Sequence, residues 1–146
     1  MAGASLIHIA YTLRYWLYGP PPPFRAMIDV IFRHLSGARA AEVDTVPLGA
    51  HRELILGRAA SAAVRFDARR DTVVGRHHAR IVPLDGEPAE FLLVDLQSIN
   101  GTYVNGKRIV ERAMLHPGDI VQLGAGGPTI EFQLAVRPES GEWKRE

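Results

Sequence analysis

The clearest signals are short apolar runs with a period of two, cut by turn residues, and they begin at about residue 50. Glu53–Leu56, Ala63–Phe66, Ala79–Leu84, Phe91–Leu96, Asp119–Leu123 and Thr129–Val136 are each rich in Val, Ile, Leu or Phe, and Gly, Pro, Asp and Asn fill the breaks. The last run alternates well. Ile130, Phe132, Leu134 and Val136 share one face of a strand, and Glu131 and Gln133 share the other. Asn105-Gly106 lies between Tyr103-Val104 and Arg108-Ile109, a strong signal for a two-residue hairpin because both turn residues accept positive φ. Many short strands without intervening helices predict an all-β antiparallel sandwich or barrel.

The chain before residue 49 has a different texture. Leu6, Ile9, Ala10, Leu13, Trp16 and Leu17 recur at helical spacing, as do Phe24, Met27, Ile28, Ile31, Phe32 and Leu35. The four prolines Pro20–Pro23 separate the two stretches, and Gly37 is placed to stop the second. This pattern predicts a helical extension over 1–48 with a proline-rich break and a linker over Ala38–Val46. A sandwich over 49–136 and a polar tail over 137–146 follow. The apolar stripe of the extension needs a cover, which a second copy could supply through residues 5–36, or a docking partner.

Composition narrows the classes. With 17 basic and 16 acidic residues the net charge is +1, too balanced to bind nucleic acid through bulk electrostatics. Cysteine is absent, which excludes disulfides, thiol catalysis and thiolate metal sites. His8, Thr12 and Arg14 interrupt the first apolar run, so it does not read as a secretory signal, and it is too short and polar to span a bilayer. These features lead to the expectation of a cytoplasmic protein without a membrane partner. Enrichment in Ala, Arg and Pro suggests a GC-rich bacterial source.

Three clusters fall at strand ends or in the loops that follow strands: Leu56-Gly57-Arg58, Gly75-Arg76-His77-His78-Ala79, and Asp95-Leu96-Gln97-Ser98-Ile99-Asn100-Gly101-Thr102. Arginine offers a fork of donors matched to phosphate oxygens, and asparagine can clamp a peptide backbone by donating and accepting together. From chemistry alone, both an anion site and ordinary turn punctuation fit these residues. Ser98, His78 and Asp95 form no catalytic triad, since no strand-turn-helix elbow presents them. Adjacent His77 and His78 would face opposite sides of a strand, which does not suit a metal. No enzyme, no cofactor and no metal are expected.

In order, the three clusters and Leu115-His116-Pro117-Gly118-Asp119-Ile120-Val121-Gln122-Leu123-Gly124 resemble the forkhead-associated (FHA) domain, over about residues 53 to 136. The resemblance implies an antiparallel β-sandwich of about eleven strands that reads phosphothreonine peptides with its loops and has no catalytic activity. It assigns Arg58 to the phosphate or the neighbouring peptide backbone, Arg76 to the same phosphate, Asn100 to the ligand main chain beside the phosphothreonine, and Ser98 to the phosphopeptide site. His78, Gly57, Gly101 and Thr102 become residues that brace or shape the loops. Ile99 receives no role. The family usually has serine where this chain has Gly75, leaving only backbone at that contact.

The implied partner is a phosphothreonine-containing protein, a Ser/Thr kinase or its substrate, with the chain as an adaptor. The alternative is a degenerate domain that makes phosphate-independent contacts or oligomerises through its extension. Thr45, with Glu42 and Asp44 beside it, is a candidate phosphosite that a flexible linker could deliver to the domain's own site or to another copy's.

Overall fold

The computed structural model describes residues 26–49, 51–86 and 89–138. They form eleven strands: β1 (Ala26–His34), β2 (Val43–Pro47), β3 (Leu54–Gly57), β4 (Val64–Arg65), β5 (Ala79–Leu84), β6 (Glu90–Asp95), β7 (Thr102–Val104), β8 (Lys107–Arg108), β9 (Arg112–Leu115), β10 (Ile120–Leu123) and β11 (Thr129–Pro138). A six-stranded sheet, in the order β2-β1-β11-β10-β7-β8, packs on a five-stranded sheet ordered β4-β3-β5-β6-β9. The all-β sandwich is therefore as expected. Every pairing is antiparallel except β3 with β4. No helix among the described residues is long and apolar enough to cross a membrane.

The core lies between the sheets. Phe132 of β11 meets Phe32 of β1 at 6.0 Å between ring centroids and Phe91 of β6 at 5.3 Å, joining both sheets through one aromatic cluster. Leu54, Leu56, Ile81, Leu93, Leu123 and Ile130 complete it with no exposed surface. The Asn105-Gly106 hairpin is realised, with φ of 50° and 82° at the turn and Val104 opposite Lys107.

The reading of residues 24–35 as a helix is corrected where they are described: residues 26–34 are strand β1. Ile28, Val30, Phe32 and His34 point into the core at period two, while Asp29 and Arg33 face outward. There Asp29 holds Arg137 at 2.8 Å and Arg33 holds Glu131 at 2.9 Å across the β1–β11 ladder. The hydrophobic spacing fits both periods, and nine paired positions with β11 decide for the strand. Gly37 caps no helix; it turns the β1–β2 connection at φ 93°, with Pro128 where its side chain would be.

Residues 43–46 of the predicted linker likewise belong to β2, an edge strand paired with β1. Thr45 is exposed there, but its backbone lies opposite Ile31, so the flexible tether needed for self-delivery does not exist. The sandwich thus includes β1 and β2, ahead of residue 49, and β11 carries it through 137 and 138, which had been assigned to the tail. Of the apolar stripe, Ile28 and Phe32 face the core between the sheets, while Leu35 is exposed. The first helix-like stretch, the proline break and residues 139–146 lie outside the described residues, as does most of the segment expected to oligomerise.

Candidate functional site

Loops β3–β4, β4–β5 and β6–β7 converge at one end of the sandwich, and the convergence is built into the backbone. The amides of Arg58 and Ala59 donate to the carbonyls of Gly75 and Arg76, both at 3.0 Å, so the loop after β3 lies flat against the residues before β5. Gly57 makes this possible: a Cβ there would sit 2.1 Å from the Arg76 carbonyl oxygen. The β4–β5 loop is anchored at two further points. Val74 is inserted into the core, and the buried Asp71 carboxylate accepts from the amides of Asp67 (3.1 Å) and Ala38 (3.2 Å).

His78 ties this loop to the next. Its Nδ1 accepts the Gly75 amide at 2.9 Å, so the ring hydrogen is on Nε2, which donates to the Gly101 carbonyl at 2.8 Å. The ring thus bridges the β4–β5 and β6–β7 loops. It also changes the expectation for Gly75, whose amide goes to His78 and whose carbonyl accepts from Arg58. Its amide hydrogen is therefore not left for a ligand.

The donors of Ser98 are likewise occupied within its own loop. Its hydroxyl and amide both donate to the Asp95 carboxylate, which also accepts from the Thr102 hydroxyl at 2.7 Å. Ser98 therefore shapes the β6–β7 loop with Thr102, and its proton is committed inside the loop. Asp95 is the organising group that sequence reading quoted but gave no role. Its signal was a carboxylate three residues before a serine, the spacing of a side-chain-to-backbone turn. Burial opposes ionisation of Asp95, but hydrogen bonds from Ser98 and Thr102 and the neighbouring His78 outweigh it and hold the carboxyl below its ordinary range.

The remaining donors face outward. Arg76 is exposed. Arg58 is half-buried: its Nε donates to the Val74 carbonyl and its Nη1 to that of Ala68 at 2.9 Å, which braces the β4–β5 loop and leaves Nη2 for an anion. Asn100 is exposed, donates one amide hydrogen to the Val73 carbonyl at 2.9 Å, and keeps its carbonyl oxygen and second hydrogen. Between Ser98 and Asn100, Ile99 is 94% exposed at the loop apex. Two guanidinium groups and one amide, mounted on three mutually tied loops, can hold a dianion and an adjacent peptide group.

His78 makes the site's fold pH-dependent. Burial pushes its imidazole below the usual histidine range, against the opposing pull of the Gly101 carbonyl and the Asp95 charge. Above about pH 6.5, His78 is neutral both folded and unfolded and adds no pH dependence. As pH falls through that value the unfolded chain takes up a proton that the folded chain resists, so stability drops. The Asp95 contribution holds until pH falls below the ordinary carboxylate range. Urea unfolding between pH 7.5 and 5 is expected to show declining stability, with a flatter decline in His78→Gln. Equal slopes in both proteins would rule out His78 as the titrating group.

The geometry agrees with comparisons to known proteins. The FHA domain model matches residues 54–124. Over 54 residues, 37% of this chain, the sequence is 48% identical to the glycogen accumulation regulator GarA of Mycolicibacterium smegmatis, spanning 32% of that protein. Over an equal length it is 46% identical to the ABC transporter ATP-binding/permease protein Rv1747 of Mycobacterium tuberculosis, spanning 6% of it. A solved FHA domain with phosphothreonine-dependent interactions superposes at a TM-score of 0.56 with 30% identity, covering 72% of this chain and 95% of that one. From the ordered loop motifs, the two-sheet fold and these matches together, the chain belongs to the forkhead-associated domain family.

Proposed function

We propose that this domain is a noncatalytic reader of phosphothreonine peptides that acts as an adaptor in Ser/Thr kinase signalling. The observation that carries the reading is the convergence of Arg58, Arg76 and Asn100 on loops locked together through Gly57 and His78. A phosphate of about −1.5 to −2 charge meets two guanidinium groups there. Asn100 keeps an acceptor and a donor for the ligand main chain. The phosphothreonine dependence of the solved relative supports carrying this chemistry over. The partner is a protein bearing phosphothreonine, a kinase or its substrate.

The test is a binding titration with a phosphothreonine peptide library beside phosphoserine and unphosphorylated controls. Selective binding is expected. In Arg58→Ala it should fall by roughly ten- to a hundredfold, since the lost charged hydrogen bonds are worth about 1.5–3 kcal/mol. A folded protein that binds phosphorylated and unphosphorylated peptides alike would instead make it a phosphate-independent contact domain.

A further inference from the structure

Arg108 stands on β8, opposite Tyr103 of β7 in the six-stranded sheet. Its guanidinium folds back over Gly101, where a Cβ would lie 2.8 Å from Nε and 3.0 Å from Cζ. Gly101 has φ 84° and no side chain, so nothing stands between this guanidinium and the backbone next to Asn100. Arg108 is exposed, and among the described residues it lacks the carboxylate partners that hold Arg33, Arg39, Arg70, Arg80 and Arg137. A third set of unclaimed donors thus lies within one residue of the group expected to grip the ligand main chain.

Its side of the site differs from that of the other two arginines. Arg58 follows β3 and Arg76 precedes β5, both strands of the five-stranded sheet. The β6–β7 loop crosses from that sheet to the other, with Asn100 on the crossing and Arg108 beyond it. A peptide held by its backbone at Asn100, with its phosphate turned toward Arg58 and Arg76, presents a neighbouring side chain on the Arg108 side.

We infer that Arg108 is a specificity-determining residue that takes the carboxylate of an acidic side chain flanking the phosphothreonine. This rests on the phosphopeptide reading and adds a second anion to the ligand. Arginine suits the task because its planar fork matches a carboxylate as it does a phosphate.

The experiment compares matched phosphothreonine peptides carrying Glu or Gln at each flanking position, titrated into the whole chain and into Arg108→Gln and Arg108→Glu. The wild type should favour one Glu peptide by roughly two- to fivefold, the range of an exposed ion pair. Arg108→Gln should lose that preference while binding the Gln peptides as before, and Arg108→Glu should prefer Lys at the same position. An equal loss for all phosphopeptides would place Arg108 on the phosphate and overturn the inference, as would no change for any. Absence of phosphate-dependent binding in every folded protein would overturn the phosphopeptide reading itself, and this inference with it.

Discussion

Gly57→Ala is expected to melt at least about 10 °C below the wild type and to lose phosphopeptide binding at temperatures where it remains folded. The added methyl would fall 2.1 Å from the Arg76 oxygen, 2.7 Å from its carbonyl carbon and 2.8 Å from the Gly75 oxygen. All three are backbone atoms, so no rotamer change relieves the clash, and the residues before β5 must move away. That movement breaks the hydrogen bonds from Arg58 and Ala59, and with overpacking the loss comes to roughly 3 kcal/mol. Arg76 and the loop that Arg58 braces shift together, so binding fails with the fold. Gly106→Ala separates sterics from backbone strain. Its position has φ 82° but no atom within 4 Å of the added methyl, and it should lose only about 1–2 kcal/mol. A Gly57→Ala melt matching that of Gly106→Ala would show that the two loops do not lie in contact.

Gly75→Ser is expected to gain affinity for phosphothreonine peptides by roughly ten- to a hundredfold, the equivalent of one hydrogen bond to a charged group. Here the space is open. A Cβ would meet nothing closer than 3.7 Å, at His78, and Gly75 is not among the glycines with left-handed φ. The backbone amide stays with His78 Nδ1, so the new hydroxyl adds a donor without disturbing the tie between loops. Stability should hold or rise slightly, since serine restricts the unfolded chain more than glycine does. Gly75→Ala supplies the control, matching the serine variant's backbone but lacking its hydroxyl, and it should bind like the wild type. Affinity unchanged in the serine variant would mean that the phosphate does not approach this face of the loop, and the roles given to Arg58 and Arg76 would need revision.

Much of this was legible along the chain. Alternation over residues 129–136 became β11, two residues tolerant of positive φ became the β7–β8 hairpin, and the loop clusters came together at one end. Local patterns of that kind are set by neighbours within a few residues, which is why they survive without a structure. Strands β1 and β9 were not legible for a corresponding reason. The spacing in β1 satisfies a helix and a strand alike. Arg112-Ala113-Met114-Leu115 in β9 is short, lacks clean alternation and is built from good helix formers. Both were decided by pairing with strands far away in sequence, and Ser36 bonding to Thr129 across 93 positions shows the reach involved.

The sequence by itself determined which chemistry stands in the loops and in what order: Gly57-Arg58, Gly75-Arg76-His77-His78, Asp95 and Ser98-Ile99-Asn100-Gly101-Thr102. Only the tertiary structure decided how those groups divide between holding one another and facing solvent. It gave the Gly75 amide to His78 and the Ser98 hydroxyl to Asp95, and it divided the donors of Arg58 and Asn100 between loop carbonyls and the exterior. It also laid Arg108 over Gly101 from a strand that no loop motif includes. The physical reason is that a hydrogen-bonding group has a fixed number of partners, and the partners within reach depend on where the chain has folded.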